Sequence, residues 1–443
     1  MQASDKPFRV AVFGCGTVGG GVARIIGEIG PELARRAGRP VELARLVDLF
    51  PAKMAERHGL PRALFAGSAP ELARAEADAA IAAVLADPTI DLVVETIGGS
   101  SEGMRELCAR ILAAGKHLVT ANKALLAKHG DDLFARAAAA GRAIGYEAAV
   151  CGAIPLIRAV EEGFSGDAIE ALSGIMNGTS NYILTKMRTE DLSFAAALAQ
   201  AQAAGYAEAD PSLDINGGDA GHKLAVLLRL AFGLTGAHGR LAVSGIEQVT
   251  PIDKRAADEL GCVIKLICHA EKRGGAVYAA VTPMMVKRSN FLSGVDGATN
   301  AVRFVNRYAG EHLLVGKGAG SLETGSAVVA DIVFIARRGH QLAGAGEGAA
   351  PELRDLAELP FAYTVIFDTA DQPGITGLVT TAIGEQDINI DTVGHNLHGS
   401  GGAIFSVQVM PCPRTAIDKA VAEIERRRPG VLRSAPKVYP VLG

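Results

Sequence analysis

The chain has 443 residues, 49% of them hydrophobic and 21% charged, with 44 Lys plus Arg against 48 Asp plus Glu for a formal charge of −4. This composition excludes a disordered chain, and with no basic stripe nothing argues for a nucleic-acid partner. The cysteines (Cys15, Cys108, Cys151, Cys262, Cys268, Cys412) include no C-x-x-C pair, no window reads as a membrane span, and Gly14, Gly16 and Gly19 interrupt the first apolar run, so a soluble protein of two or three domains in a reducing cytoplasm is expected.

Over residues 1–150, strand-like and helix-like stretches alternate. Residues 8–13 are a short apolar run entering a glycine turn, and 17–29 follow with helical spacing that runs on through Glu32 and Arg36. Strands are expected at 41–48, 90–97 and 118–120, with helices at 101–114 and 124–140. Such alternation predicts an α/β domain whose parallel sheet is covered on both faces. From 151 to 320 helices mix with β-branched stretches such as 276–282, and 218–232 is a helix with Leu224, Leu227, Leu228 and Ala231 on one stripe. A helix at 321–336, within a return segment 321–340, is expected to complete the first domain. Residues 341–360 (QLAGAGEGAAPELRDLAELP) read as a linker. Beyond it come a strand at 363–368, a helix at 374–383, strands at 388–393 and 403–410, a helix at 414–427 and a strand from Val431 onward. That is a βαββαβ unit over 361–443, the size of a separate ferredoxin-like domain.

Gly14-Cys15-Gly16-Thr17-Val18-Gly19 is G-x-G-x-x-G between a strand and a helix. The first glycine permits a tight turn, the second lets backbone approach a pyrophosphate, and the third allows close helix–strand packing; the phosphates then meet the free N–H groups of the helix start. A turn chosen only for packing is the alternative. Asp48 ends the second strand, the place from which an acid binds a ribose 2′-hydroxyl, though further along than the usual ~20 residues. An acid there disfavours a 2′-phosphate, and Val47 and Leu49 supply no cation, while Lys53 and Arg45 remain candidate phosphate partners. Charge alone favours NAD over NADP; a strand-end cap is the other reading of Asp48.

Further clusters are hard to explain by packing. Thr120-Ala121-Asn122-Lys123 follows a sheet strand, where α/β proteins place ligands. Glu147 leads into AAVCGAIP, and Ile175-Met176-Asn177-Gly178-Thr179-Ser180-Asn181-Tyr182 is a polar turn opening a helix. Glu208, Asp210 and Asp214 precede the helix that carries Asp219 and Lys223, which are i and i+4 and so share one face. A surface ion pair is the bland reading of that pair. Because the same face carries Ala220 and Leu227, a buried proton-transfer pair is the sharper one. His222 points about 100° away and reads as packing.

The stretches GCGTVG, DLVVETIGG, VTANKALLA, YEAAVCGAIPLI, GIMNGTSNYILTKM, GYAEADPSLDINGGDAGHKLAVL and GKGAGSLETGSAVVADI resemble, in this order over residues 8–337, the homoserine dehydrogenase family. More loosely, the C-terminal unit, with Asp371-Gln372-Pro373-Gly374-Ile375 opening its helix, resembles an ACT regulatory domain. The resemblance implies a Rossmann-type nucleotide-binding domain, an α+β catalytic and dimerisation domain, and an ACT domain. It implies NAD(P)-dependent interconversion of L-homoserine and L-aspartate 4-semialdehyde, on the route to threonine, methionine and isoleucine. Carried over, Lys223 oriented by Asp219 matches the catalytic lysine, and Lys123 the second lysine lying between cofactor and substrate. Glu208 and Asp214 match the anions for the α-amino group, and Gly320 a backbone approach to the cofactor beside Gly14, Gly16, Thr17, Val18, Gly19 and Asp48. The family also holds a monovalent cation, usually sodium, here on the Glu147 carboxylate or carbonyl and the carbonyls of Val150, Gly152 and Ile154. A homo-oligomer and an amino-acid effector such as threonine are implied as partners. Two rivals are another semialdehyde dehydrogenase, with Cys151 as nucleophile, and a non-catalytic NAD(P)-binding regulatory protein.

Overall fold

A computed structural model describes residues 6–338, 351–394, 397–399 and 402–443. Two compact units divide the chain: one takes residues 1–169, 222–239 and 306–350, the other 170–221, 240–305 and 351–443.

The first unit is built on a five-stranded sheet of Phe8–Phe13, Val41–Val47, Leu92–Glu95, His117–Thr120 and Ile144–Gly145. In spatial order these are the second, first, third, fourth and fifth strands, and every pairing is parallel. Order therefore reverses beside the first strand, which opens a crevice at the carboxyl ends of Phe8–Phe13 and Leu92–Glu95. Alternation along the first strand sends Val10 and Val12 into a core shared with Val22, Ala23 and Ile26 of the helix Thr17–Glu28 and with Val328, Ile332 and Ile335 of Ser321–Arg338. The latter helix thus belongs to this unit; residues 339 and 340 of the expected return segment lie outside the described residues. Gly21 makes the crossing of the two helices possible, because a Cβ there would lie 2.3 Å from the Ser321 carbonyl oxygen.

One local expectation is corrected. The first helix stops at Glu28, and a second, Gly30–Ala37, begins at once. Pro31 explains the break: it has no N–H to donate and is tolerated in a helix's first turn, where none is needed.

In the second unit a mixed sheet runs Thr299–Asn306, Ile169–Ile175, Cys262–Arg273, Ala276–Lys287, Lys437–Leu442, Phe361–Thr369, Gly402–Cys412 and Ile390–Val393. Its last four strands, with helices Ile375–Gly384 and Arg414–Arg427, make a βαββαβ segment. Three antiparallel pairings order those strands fourth, first, third, second. Val365, Phe367, Val407 and Val409 face one side of this sheet and pack with Val379, Ile383, Ile417 and Ile424 of the helices. The final strand begins at Lys437 and not at Val431, because Gly430 turns at φ 73° and Val431 packs into that helix core.

The boundary of this segment differs from the composition-based expectation. Residues 339–350 lie outside the described residues, but Glu352–Asp355, read as linker, is a strand paired in parallel with Ala276–Ala279. The final strand also joins the middle of the sheet through Val441↔Met285 and Leu442↔Val286. Residues 361–443 therefore extend one hydrogen-bonded sheet instead of standing apart from it.

Candidate active site

The glycine turn takes its shape from close backbone contact. Gly14 has φ 83°, and a Cβ on it would lie 2.7 Å from the Thr96 carbonyl oxygen; at Gly19 it would lie 2.0 Å from that of Gly14. Gly16 is the N-cap residue of Thr17–Glu28, whose start has neither a side-chain cap nor an acid in its first turn, with Thr17 exposed and Val18 half-buried. Free N–H groups and the positive end of the helix dipole are thus left for an anion. Asp48 is half-buried, and its carboxylate accepts the Cys15 N–H at 2.7 Å and the Phe50 N–H at 2.9 Å. Strand-end cap and ribose acid are compatible here, since each oxygen keeps another lone pair. Burial and Asp48 push the Cys15 thiol up to about 12, which keeps it inert.

Across the crevice, Glu95 organises two strand ends. Its Oε1 accepts the N–H groups of Ile97 and Gly98 at 2.8 and 2.9 Å, and its Oε2 accepts the Thr120 hydroxyl at 2.7 Å. Asn122 caps the helix Lys123–Ala140 through the Leu125 N–H and donates to the Gly99 carbonyl at 2.6 Å. The half-buried Lys123 is thereby set at a helix start on the edge of the crevice. Sequence reasoning did not single out Glu95, although a carboxylate closing an apolar strand was a usable signal.

Residues 146–158 form a second locus in this unit. Glu147 is buried; its carboxylate accepts the Ile157 and Arg158 N–H groups at 2.8 and 2.9 Å, and its own N–H donates to Asp331. Burial, reinforced by Asp331, raises its carboxyl to about 7. Arg158 binds Asp331 at 2.5 Å and lies over the Phe334 ring. Because both Glu147 oxygens close a helix start, its carboxylate is a poor cation ligand, which leaves main-chain carbonyls as the hard oxygens of this loop. The turn is left-handed at both Cys151 (φ 55°) and Gly152 (φ 50°), and a Cβ at Gly152 would lie 2.6 Å from the Gly318 carbonyl oxygen. That contact brings the loop against Gly318-Ala319-Gly320, and Ser321 ties the same segment to the Thr17 carbonyl at 2.6 Å. Among the described residues, no group of three or more His, Cys, Asp or Glu could hold a metal ion.

The acids gather in the second unit around Asn177. This buried residue caps the helix Gly178–Thr189, accepting the Ser180 N–H at 2.7 Å. Its Nδ2 donates to Asp214 at 2.7 Å and to Asp219 at 2.8 Å. Ser180 adds a bond to the Asp214 carbonyl at 2.8 Å. Asp219 is buried in the first turn of Gly218–Phe232, and Lys223, one turn on, is 8% exposed, so the surface-pair reading of these two gives way. His222 is half-buried, its ring 5.3 Å from that of His238. Glu208 lies exposed on the preceding loop, apart from the Asn177 bonds.

Comparison with known proteins supplies the reaction. Residues 14–147 match the family described as homoserine dehydrogenase, NAD binding domain, and residues 155–333 match the homoserine dehydrogenase domain. A homoserine dehydrogenase of Pseudomonas aeruginosa is 38% identical over 400 residues, 88% of either chain. The chain belongs to the homoserine dehydrogenase family. It is accordingly an NAD(P)-dependent oxidoreductase. A crystal structure of a family member from Thiobacillus denitrificans is similar with a TM-score of 0.88 at 35% identity, covering 99% of both chains. A hyperthermophilic archaeal member solved in complex with NADPH has a TM-score of 0.61 at 25% identity, covering 74% of this chain and 97% of that one. No described helix is long and apolar enough to cross a membrane.

Proposed function

We propose that this chain interconverts L-homoserine and L-aspartate 4-semialdehyde with NAD(P)(H), and that Lys223, oriented by Asp219, exchanges the proton at the substrate oxygen. The observation that carries the reading is the Asn177 side chain, which pins Asp219 and Asp214 together one helical turn before a buried lysine. Bound nicotinamide supplies or accepts the hydride. The glycine turn fits its pyrophosphate, since Gly16 at the uncapped helix start has no atom within 4 Å of where a Cβ would stand, which leaves its backbone open to a ligand. Lys223 gives its proton to the carbonyl oxygen in reduction and recovers it from the alcohol in oxidation, while Asp219 keeps the ammonium aimed. Asp214 and Glu208 provide the negative charge that holds the α-ammonium, and Lys123, whose helix Asn122 caps, matches the family's second lysine. Gly14, Gly16, Thr17, Val18, Gly19, Asp48 and Gly320 hold the cofactor. The carbonyls of Glu147, Val150, Gly152 and Ile154 hold sodium beside the Gly318–Gly320 loop.

The fourth-first-third-second strand order supports an ACT regulatory segment at 361–443, with threonine as effector, in a cytoplasmic homo-oligomer serving threonine, methionine and isoleucine synthesis. Initial rates with homoserine and each of NAD and NADP, with and without sodium and threonine, test the reading. Lys223→Ala should lower kcat by ~10²–10⁴-fold with nucleotide binding intact. Near wild-type turnover in that variant would refute the proton relay.

A further inference from the structure

We infer that the cofactor crevice of this chain selects the dinucleotide without a 2′-phosphate, NAD over NADP, and that Asp48 is the selecting residue. The inference rests on the proposed reaction for its kinetic side only, because the selection is also read in binding.

Position comes first. Asp48 directly follows Val41–Val47, the strand that neighbours Phe8–Phe13 on the side opposite Leu92–Glu95, so it borders the glycine turn at the point where the strand order reverses. Its orientation is also fixed. An exposed aspartate can swing away from an unwelcome anion, but here both oxygens are held by main-chain N–H groups, Cys15 within the turn itself and Phe50 after it. A phosphate at the ribose 2′ position would meet a carboxylate that cannot retreat, and the Cys15 N–H, a natural phosphate donor, is already taken. A 2′-hydroxyl can instead donate to the remaining lone pairs.

On the helix Pro51–His58 beside Asp48, burial and then Arg57 lower His58, so its ring is neutral at pH 7, and Arg57 itself is exposed. Val47 is buried, and Leu49 and Phe50 are 37% and 44% exposed. Arg45 donates to the Ala63 carbonyl, and Arg62 to those of Phe65 and Ala69. Lys53, exposed on the helix Pro51–His58, is the competitor that the test must include. Across the turn Ile97 is 48% exposed, and its N–H would sit 2.8 Å from a Cβ on Gly14. Exposed apolar side chains on either side of the turn suit the faces of an adenine, and the acid beside them suits an unmodified ribose.

Nicotinamide fluorescence of NADH and NADPH, titrated with the full-length protein in the absence of substrate, tests the inference. NADH should bind at least ~10-fold more tightly, the scale expected when a fixed carboxylate faces a phosphate with no intervening cation. Asp48→Ser should weaken NADH and tighten NADPH. Because Asp48 also braces the turn, Leu49→Arg serves as the second variant: it leaves the acid in place and should tighten NADPH alone. Equal affinities in the unaltered protein overturn the inference, and equality that Lys53→Ala abolishes would assign a 2′-phosphate to Lys53. A preference for NADH without homoserine turnover on either cofactor would refute the proposed reaction and leave the selection standing.

Discussion

Asn177 offers the most direct trial of the acid cluster, because one side chain makes three bonds of two kinds. Its Oδ1 caps a helix, and its two N–H groups each reach a carboxylate, at 2.7 and 2.8 Å. A lost cap costs about 1 kcal/mol, and hydrogen bonds to charged groups are worth about 1.5–3 kcal/mol each. Since the three are not additive, Asn177→Ala is expected to lose about 4 kcal/mol. Asn177→Ser keeps a capping oxygen and should recover about 1 kcal/mol of that. Asn177→Asp keeps shape and cap but sets a third acid against two others, so one carboxyl of the group is raised and holds a proton in the folded state. A raised folded-state value means that the folded state binds more protons, so stability falls as pH rises. Measured by urea unfolding, the deficit of Asn177→Asp against the unaltered protein should therefore be largest near pH 7 and shrink toward pH 5. The same variant should lose at least ~10²-fold in kcat/KM for homoserine at pH 7, because Asp219 is no longer fixed beside Lys223. A pH-independent deficit, or kcat/KM within twofold of the unaltered protein, would refute the reasoning.

Other outcomes follow from the same geometry. Glu208→Gln should raise the KM for homoserine and leave kcat nearly unchanged; an unaltered KM would remove Glu208 from the amino-group site. Gly19→Ala places a methyl 2.0 Å from the Gly14 carbonyl oxygen, so NADH affinity measured by fluorescence should fall by more than ~10-fold while the second unit keeps its fold. His269 is buried with Ser173 2.8 Å from its Nδ1, and burial, with Arg303 adding to it, lowers its value to about 4. It stays neutral beside Glu271 and must be charged only on unfolding, so its contribution is present above about pH 6.5 and is lost as pH falls toward 4. Against His269→Asn, the stability advantage of the unaltered protein should shrink by about 3 kcal/mol between pH 7 and pH 4. A constant gap in urea unfolding would show that His269 does not titrate in that range.

Much of the fold was legible because the signals were local. Residues 8–13 and 218–232 carry an apolar run and a helical stripe strong enough to set their own ends, and the observed strand and helix have those bounds. Glu352–Asp355 carried no such signal. The sequence ELRD has neither alternation nor β-branching, and it becomes a strand only because Ala276–Ala279 offers a free edge. The site divides in the same way. The glycine turn, Asp48 and the Asp219–Lys223 spacing are short-range patterns. That the Asn177 amide joins acids 37 and 42 residues further on is a property of tertiary packing. Glu147 shows the limit most clearly: its residue type allowed a carboxylate ligand, and only the position of Ile157 and Arg158 reveals that this oxygen pair is already engaged.

The meeting of Gly152 with Gly318 has an evolutionary corollary. At that point two stretches of chain far apart in sequence meet through main chain, so no side-chain exchange at Gly318 can compensate a Cβ added at Gly152. Natural variation there should be close to frozen while neighbouring surface positions drift freely. A saturation library at position 152 should accordingly return almost nothing but the parental residue.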